Sequence, residues 1–192
     1  MPGHYPKEII LKDGTGVTLR PLQKEDEDPL YEMYQRLSED DRWFLENDVS
    51  DFETVQKWVK ALDMKKLISI VAVLEGRIIA HATLIRKYYG ANSHIGKIRI
   101  SVDPSFRERH LGTWILLDLN NLAISLKLEI LIMRLVEGWD SYVMKGVKRL
   151  DFHEEAVLKN YLKDRAGNPH NLIIMVKHLQ GAWASSEDII PS

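Results

Sequence analysis

The stretch 94–136 constrains the fold more than any other, because it holds two strand patterns separated by one long helix pattern. HIGKIRISV (94–102) alternates apolar and polar side chains, which is typical of a strand with one face in a core. Apolar residues at helical spacing fill 111–127, and the nearly continuous apolar run LEILIMRLV (128–136) predicts a strand covered on both faces. The sequence therefore predicts a unit of strand, loop, helix and strand.

A strand and two helices precede this unit. VTLRPL (17–22) predicts a short strand. Residues 30–37 and 55–62 each carry apolar side chains at positions i, i+3, i+4 and i+7, which predicts two amphipathic helices. Ser50 and Glu53 have the spacing of a capping box, so we expect the second helix to begin there.

Two hairpins and one more helix complete the pattern. LISIVAVL (67–74) and IIAHATLIR (78–86) are β-branched runs separated by a glycine turn, which predicts an antiparallel hairpin. A helix is expected from 140 or 141 to 148, since Asp and Ser are good N-caps. Residues 150–163 and 171–179 predict a closing hairpin around a turn that contains glycine and proline.

The composition limits the classes of function. A chain of 192 residues without repeats suits one domain, and the absence of cysteine excludes disulfides and thiolate metal sites and fits a cytoplasmic protein. A net charge of −2 gives no overall attraction to nucleic acid or to an anionic membrane. The first residues lack the layout of a secretion signal and the apolar runs are too short to span a bilayer, so we expect no membrane partner.

RERHLGT (107–113) places basic side chains and a glycine directly before the long helix. The first turn of a helix has N–H groups without partners and a partial positive charge, so this loop is a candidate anion site. Its spacing matches neither a Walker loop nor a dinucleotide-binding glycine motif. The open alternative is a solvated loop in which Gly112 only lets Trp114 pack.

The run VDPSFRERHLGTWILLDLNNLA (102–123) resembles the acetyl-CoA signature of the GNAT acetyltransferase superfamily. In that signature a strand ending in V-x-P is followed by R/Q-x-x-G-x-G/A and a helix. The order of elements from 16 to 179 is also similar to that family, as is the closing run LDFHEEAVLKNYLKDRAGNPHNLIIM (150–175).

The resemblance implies an α/β (α+β) fold with a mixed, mostly antiparallel central sheet. About seven strands, a central parallel pair and helices on both faces are expected. The domain would span 16–179, with 1–15 and 180–192 as terminal extensions. A homodimer is an open alternative, because Trp183 and the tail offer apolar surface.

The resemblance also implies acetyl-CoA as co-substrate and no metal. Arg107 occupies the R/Q position and Gly112 the second glycine, while His110 stands where the first glycine is usual. If the backbone there needs a positive φ, histidine tolerates it less well than glycine. The implied binding residues are Ile100, Ser101, Val102, Arg107, Glu108, Arg109, His110, Leu111, Gly112, Thr113 and Asp140.

The catalytic side chains of the family are not matched. The position of its tyrosine acid falls on Val147, that of a frequent asparagine on Asp140, and that of a glutamate base on Gly96. The candidates for the base are His94 on the strand 94–102, Glu137 at the end of the strand 128–136, or water.

Two other histidine positions are expected to have no catalytic role. His81 lies on the first hairpin, and we expect a structural or surface role for it. His153, Glu154 and Glu155 do not have the H-E-x-x-H spacing and offer no metal geometry on a strand.

The sequence thus predicts an N-acetyltransferase that moves an acetyl group from acetyl-CoA to a primary amine by direct attack in a ternary complex. The acceptor would be a small molecule or a peptide amine. Residues 38–53 hold seven acidic side chains, so either a negative rim favours a cationic amine or the segment is an ordinary acidic loop. The alternative functions are a non-catalytic acyl-CoA-binding or sensing module and an unrelated phosphate-binding protein.

Overall fold

The computed structural model describes residues 5–60 and 66–179, and its strands form one mixed sheet. The strand order is β1-β2-β3-β4-β5-β6-β8-β7, and among these described strands only β5 and β6 are parallel neighbours. The strands are β1 Lys7–Ile10, β2 Gly16–Pro21, β3 Leu67–Leu74, β4 Arg77–Arg86, β5 Ile95–Val102, β6 Ile130–Val136, β7 His153–Lys163 and β8 Pro169–His178.

Helices cover both faces of the sheet. The helices α1 and α3 pack on one face, and the apolar side of α4 packs on the other face with α5 beside it. No helix among the described residues is both long and apolar enough to cross a membrane. The α-helices are α1 Glu27–Gln35, α2 Glu39–Trp43, α3 Phe52–Lys60, α4 Leu111–Ser125 and α5 Ser141–Arg149, with single 3₁₀ turns at Lys24–Asp26 and Pro104–Phe106. The predicted fold class is confirmed.

The segment between the first strand and the hairpin differs from the prediction in two ways. The described residues of this segment, up to Lys60, form three α-helices instead of two, because Ser38 accepts a hydrogen bond from Asp41 N at 3.0 Å and caps the additional helix α2. The predicted capping box at Ser50 is wrong. Asp51 caps α3 instead, since its carboxylate accepts from Glu53 N at 3.2 Å and from Thr54 N at 3.1 Å.

The strand β1 lies inside the segment expected to be an N-terminal extension. It pairs with β2 from Lys7↔Leu19 to Ile10↔Gly16 and forms one edge of the sheet. Asp118 on α4 is buried and accepts hydrogen bonds from Lys7 Nζ at 2.5 Å and from the Tyr5 hydroxyl. The sheet therefore starts at Lys7, while the domain limits 16–179 stay a prediction. Leu62 and Trp183 lie outside the described residues.

The sheet opens in its middle. The strands β5 and β6 pair only where Ile95–Ile98 face Ile130–Met133. Beyond this point β5 continues along β4 as far as Val102, and β6 continues along β8 as far as Val136. Because each strand follows its other neighbour, a gap separates their last residues.

Gly96 lies at the closed end of this gap, and the packing there requires a glycine. A Cβ atom at this position would be 2.8 Å from Leu84 Cδ1 and 2.9 Å from side-chain carbons of Leu128 and Leu131. The resemblance places the family's glutamate base at this position. In this chain, a glutamate side chain there would have to enter the apolar core.

His81 lies on β4 and is buried on the face that α1 covers. Its Nδ1 atom is 2.7 Å from the Tyr34 hydroxyl and its Nε2 atom is 2.6 Å from Ser69 Oγ. Burial, assisted by the positive charge of Arg99, lowers the pKa of His81 to about 4. Of the two predicted roles, the structure gives this histidine the structural one.

We expect Gly96→Ala to lower the free energy of unfolding by about 1–3 kcal/mol, because the added methyl group overpacks the core. Urea denaturation would measure the change. Gly16→Ala is the matched control, since a Cβ atom at Gly16 would meet nothing within 4 Å. Equal stability of the two variants would contradict the packing argument.

The stability of the protein should depend on pH through His81. The histidine has its ordinary pKa of 6.5 in the unfolded chain and a pKa of about 4 in the folded protein, so the unfolded state binds more protons between these values. The contribution of neutral His81 to the free energy of unfolding is complete above pH 6.5, and it falls by up to about 3 kcal/mol as the pH drops to 4. Urea denaturation at several pH values would give the free energy of unfolding as a function of pH. This free energy should change less with pH for His81→Gln than for the wild type, and an identical pH dependence of the two proteins would refute this assignment.

Candidate active site

The gap between β5 and β6 widens into a cleft with a volume of 1270 Å³. The last residues of both strands form its floor. The first turn of α4 and the start of α5 form one wall, and α2 with the loop after it forms the opposite side. The loops before α4 and α5 and parts of β7 and β8 complete the lining.

The edge of β5 offers unpaired backbone groups to the cleft. Asp103 N donates to Ile79 O on β4 at 2.9 Å. Because backbone groups of a strand alternate in direction, the N–H and C=O groups of Ile100 and Val102 point away from β4, toward the gap. The ladder with β6 ends at Ile98, so these groups have no partner on β6. The side chain of Arg107 reaches the Val102 carbonyl at 3.3 Å.

The N-terminus of α4 opens into the same cleft. His110 is the N-cap residue of this helix, and its φ of 67° lies in the left-handed region. Its side chain makes no capping hydrogen bond. The N–H groups of Leu111, Gly112 and Thr113 donate to no acceptor among the described residues. A Cβ atom at Gly112 would meet nothing within 4 Å. The helix start therefore combines free donors, partial positive charge and open space, which is what a bound pyrophosphate needs.

Arg107 connects this loop to α2 across the cleft. Its guanidinium lies 2.8 Å from Asp41 Oδ2, and Trp139 Nε1 donates to the other oxygen of the same carboxylate at 2.9 Å. Burial disfavours the ionised form of Asp41, but the hydrogen bonds from Arg107 and Trp139 outweigh it and hold the pKa below the usual range. Sequence reasoning missed Asp41 and Trp139, although Asp41 belongs to the acidic segment expected to border the acceptor.

Asp140 closes the end of the gap beside β6. Its carboxylate accepts a hydrogen bond from Val136 N at 2.7 Å. Burial raises the pKa of Asp140 above the usual range, although the Val136 hydrogen bond opposes the shift. Val147, at the position of the family's tyrosine, is buried in the core on α5.

The two predicted bases, His94 and Glu137, do not line the cleft. His94 lies in the turn before β5, where its carbonyl accepts from Glu129 N at 2.9 Å, at the closed end of the strand pair. Glu137 is exposed and accepts from Asn171 Nδ2 at 2.6 Å. Arg109 also turns away and pairs with Asp13 at 2.8 Å. The predicted residues that do line the cleft are Ile100, Ser101, Val102, Arg107, Glu108, His110, Leu111, Gly112, Thr113 and Asp140.

The carboxylates of the acidic segment 38–53 are engaged with other groups. Glu39 and Asp40 pair with Arg165, and Asp41 pairs with Arg107. Further along the segment, Asp51 caps α3, and other carboxylates have partners of their own. The two carboxylates of the segment that line the cleft, Asp41 and Glu46, are each paired with arginine. Within residues 5–60 and 66–179, no group of three or more His, Asp or Glu side chains could hold a metal ion.

Solved structures of acetyltransferases share this architecture. The GNAT domain of S. lividans PAT has a TM-score of 0.75 at 15% identity, over 93% of this chain and 99% of that one. An N-acetyltransferase from Staphylococcus aureus Mu50 has a TM-score of 0.74 at 16% identity, over 85% and 99%. A ribosomal-protein-alanine N-acetyltransferase from Brucella melitensis has a TM-score of 0.71 at 20% identity, over 84% and 99%.

No protein-family model matches the sequence, and no curated protein matches it either. The likeness to these solved structures extends over almost the whole length of those chains. The chain therefore has the fold of the GNAT acetyltransferases.

Proposed function

We propose that the chain is an N-acetyltransferase that uses acetyl-CoA and acetylates a primary amine by direct attack in a ternary complex. The observation that carries this proposal is the meeting of two features in one cleft. The free N–H groups at the start of α4 and the unpaired edge of β5 adjoin each other there. The first suits a pyrophosphate and the second suits an extended chain of amides.

The residues present fit coenzyme A. Leu111, Gly112 and Thr113 would donate their N–H groups to the pyrophosphate, and Gly112 leaves room for its oxygens. The C=O group of Ile100 and the N–H group of Val102 would pair with the amides of the pantetheine arm, which then behaves like an added strand. Acetyl-CoA supplies the activated acetyl group.

The chain contributes position and backbone hydrogen bonds to the reaction. The cleft would align the amine with the thioester carbon, and the Ile100 N–H, which faces the gap, would donate to the oxyanion that develops there. A bond from nitrogen to carbon forms and the bond from carbon to sulfur breaks. The sulfur leaves as a thiolate, which needs no side-chain acid because an ordinary thiol has a pKa near 8.5. Since neither His94 nor Glu137 lines the cleft, we assign the amine proton to water.

A non-catalytic acyl-CoA-binding module is the second candidate. One observation favours it: the positions of the family's tyrosine and glutamate, Val147 and Gly96, both lie in the core and offer no acid or base. Release of free thiol from acetyl-CoA, screened over a panel of amines, separates the two functions. Binding of acetyl-CoA without thiol release by any amine would favour the module.

We expect Gly112→Val to abolish acetyl-CoA binding without loss of stability. The added side chain would project into the space meant for the pyrophosphate, while inside the protein a Cβ atom there meets nothing within 4 Å. Calorimetric titration of acetyl-CoA and thermal unfolding would measure the two effects. A folded variant that binds normally would remove the pyrophosphate site from the proposal.

His110→Gly is the matched control for this experiment. It restores the glycine of the family pattern, suits the backbone at φ 67°, and keeps all the N–H groups of the helix start. We expect this variant to retain acetyl-CoA binding within about threefold, a change of less than about 0.7 kcal/mol.

We further expect Glu137→Gln and His94→Gln to keep the kcat of the wild type within about twofold, with an unchanged pH profile, because neither side chain reaches the cleft. Thiol release with the best amine of the screen would measure this. A tenfold loss of kcat with a flattened limb of the pH profile would identify that residue as the base.

A further inference from the structure

Two arginines flank the point where β5 and β6 separate. Arg99 directly follows Ile98, the last residue of β5 that pairs with β6, and Arg134 directly follows Met133 on the other strand. Ile98 and Met133 point into the core beside α4, so Arg99 and Arg134 project from the opposite face of the sheet. Both arginines line the cleft, next to the backbone edge of Ile100.

One carboxylate already bridges the two arginines. Glu46, in the loop between α2 and α3, places Oε1 3.0 Å from Arg99 and 2.9 Å from Arg134. The two guanidinium groups are therefore spaced to hold one carboxylate between them, in a charge-assisted arrangement that arginine favours. Glu46 itself is half-exposed, with 53% of its side chain accessible, so water can solvate its carboxylate when a ligand displaces it from the arginines.

The surrounding charges favour an anion on this face. Lys97, two residues before Arg99, has the same side-chain direction and also lines the cleft, as does Lys163 at the end of β7. The cleft as a whole is lined by more basic than acidic side chains. The basic ones are Lys97, Arg99, Arg107, Arg134, Lys145, Arg149 and Lys163, and the acidic ones are Asp41, Glu46, Glu108 and Asp140. A polyamine would meet this excess of positive charge, whereas an acceptor that carries a carboxylate would be attracted by it.

We propose that the acceptor is a small amine with a carboxylate a few bonds away, as in an amino acid, and that Arg99 and Arg134 bind this carboxylate in place of Glu46. This inference rests on acetyl transfer in the same cleft. The carboxylate would stay on the arginines while the neighbouring amine forms the bond to the acetyl carbon. The thiolate leaves, the amine proton goes to water, and the product is an N-acetylamino acid.

Matched acceptors test the carboxylate directly. Each of the twenty amino acids is assayed for thiol release from acetyl-CoA beside its amide and its decarboxylated amine, with spermidine as the polyamine. We expect at least one amino acid to exceed its amide and its amine by tenfold or more in kcat/KM. The inference is overturned if amides, amines or spermidine react as well as every amino acid, although acetyl transfer would then stand.

Substitutions of Arg134 and Glu46 test whether the arginines bind the carboxylate of the acceptor in place of Glu46. Arg134→Gln should raise the KM of the best amino acid about tenfold with a smaller effect on kcat, and Arg134→Lys should raise it less, because a lysine keeps the charge but not the fork of donors. The KM of acetyl-CoA should not change. Glu46→Gln should lower the KM of the amino acid about threefold, because it removes the competing carboxylate. A purely structural role of Glu46 predicts no such decrease.

A binding experiment gives a readout that needs no turnover. N-acetylglycine, which shares the carboxylate of every such product, is titrated calorimetrically into the wild type, Glu46→Gln and Arg134→Gln. We expect the tightest binding to Glu46→Gln and the weakest to Arg134→Gln. Equal affinities for the three proteins, or no binding to Glu46→Gln, would overturn the inference. If N-acetylglycine binds in the expected order but acetyl-CoA does not bind, the carboxylate site stands and acetyl transfer fails.

Discussion

The early end of the hydrogen-bond ladder between β5 and β6 is the constraint on which the site depends. Four residues of each strand pair, and after Ile98 and Met133 each strand follows its outer neighbour instead. Backbone groups that lose a ladder partner need another hydrogen bond. In the proposed complex, the resulting edge at Ile100 would pair with the amides of an extended ligand. The same opening brings Arg99 and Arg134 to the cleft.

The segment between α1 and α3 pairs with three arginines of this cleft. Asp41 pairs with Arg107 on the side of α4, and Glu46 bridges Arg99 and Arg134 on the opposite face of the sheet. In the proposed complex, the carboxylate of the acceptor would replace Glu46. Such an exchange keeps Arg99 and Arg134 paired, and the displaced carboxylate of the half-exposed Glu46 would be solvated.

The local elements were predictable because short-range patterns encode them. Periodicity, β-branched runs, N-cap residues and turn residues predicted α4, α5 and the strands from β2 to β8, and the run RERHLGT predicted that the start of α4 would line a cleft. Two short elements were not predicted, because β1 has four residues and α2 has five, which are too few to show a period. The cap of α3 was misplaced by one residue, because Asp51 and Ser50 are both suitable N-caps and only the backbone path decides between them.

By itself, the sequence determined the class of fold and the order of its longer elements, since each of these elements depends on neighbouring residues. Only the tertiary structure decided which side chains share the cleft. Asp41 meets Arg107 across 66 residues of chain, and Glu46 meets Arg134 across 88. The structure likewise left His94 and Glu137 outside, because their positions relative to the gap depend on where the β5–β6 ladder ends. Periodicity shows which face of a strand is buried, but strand order and register decide what lies opposite it.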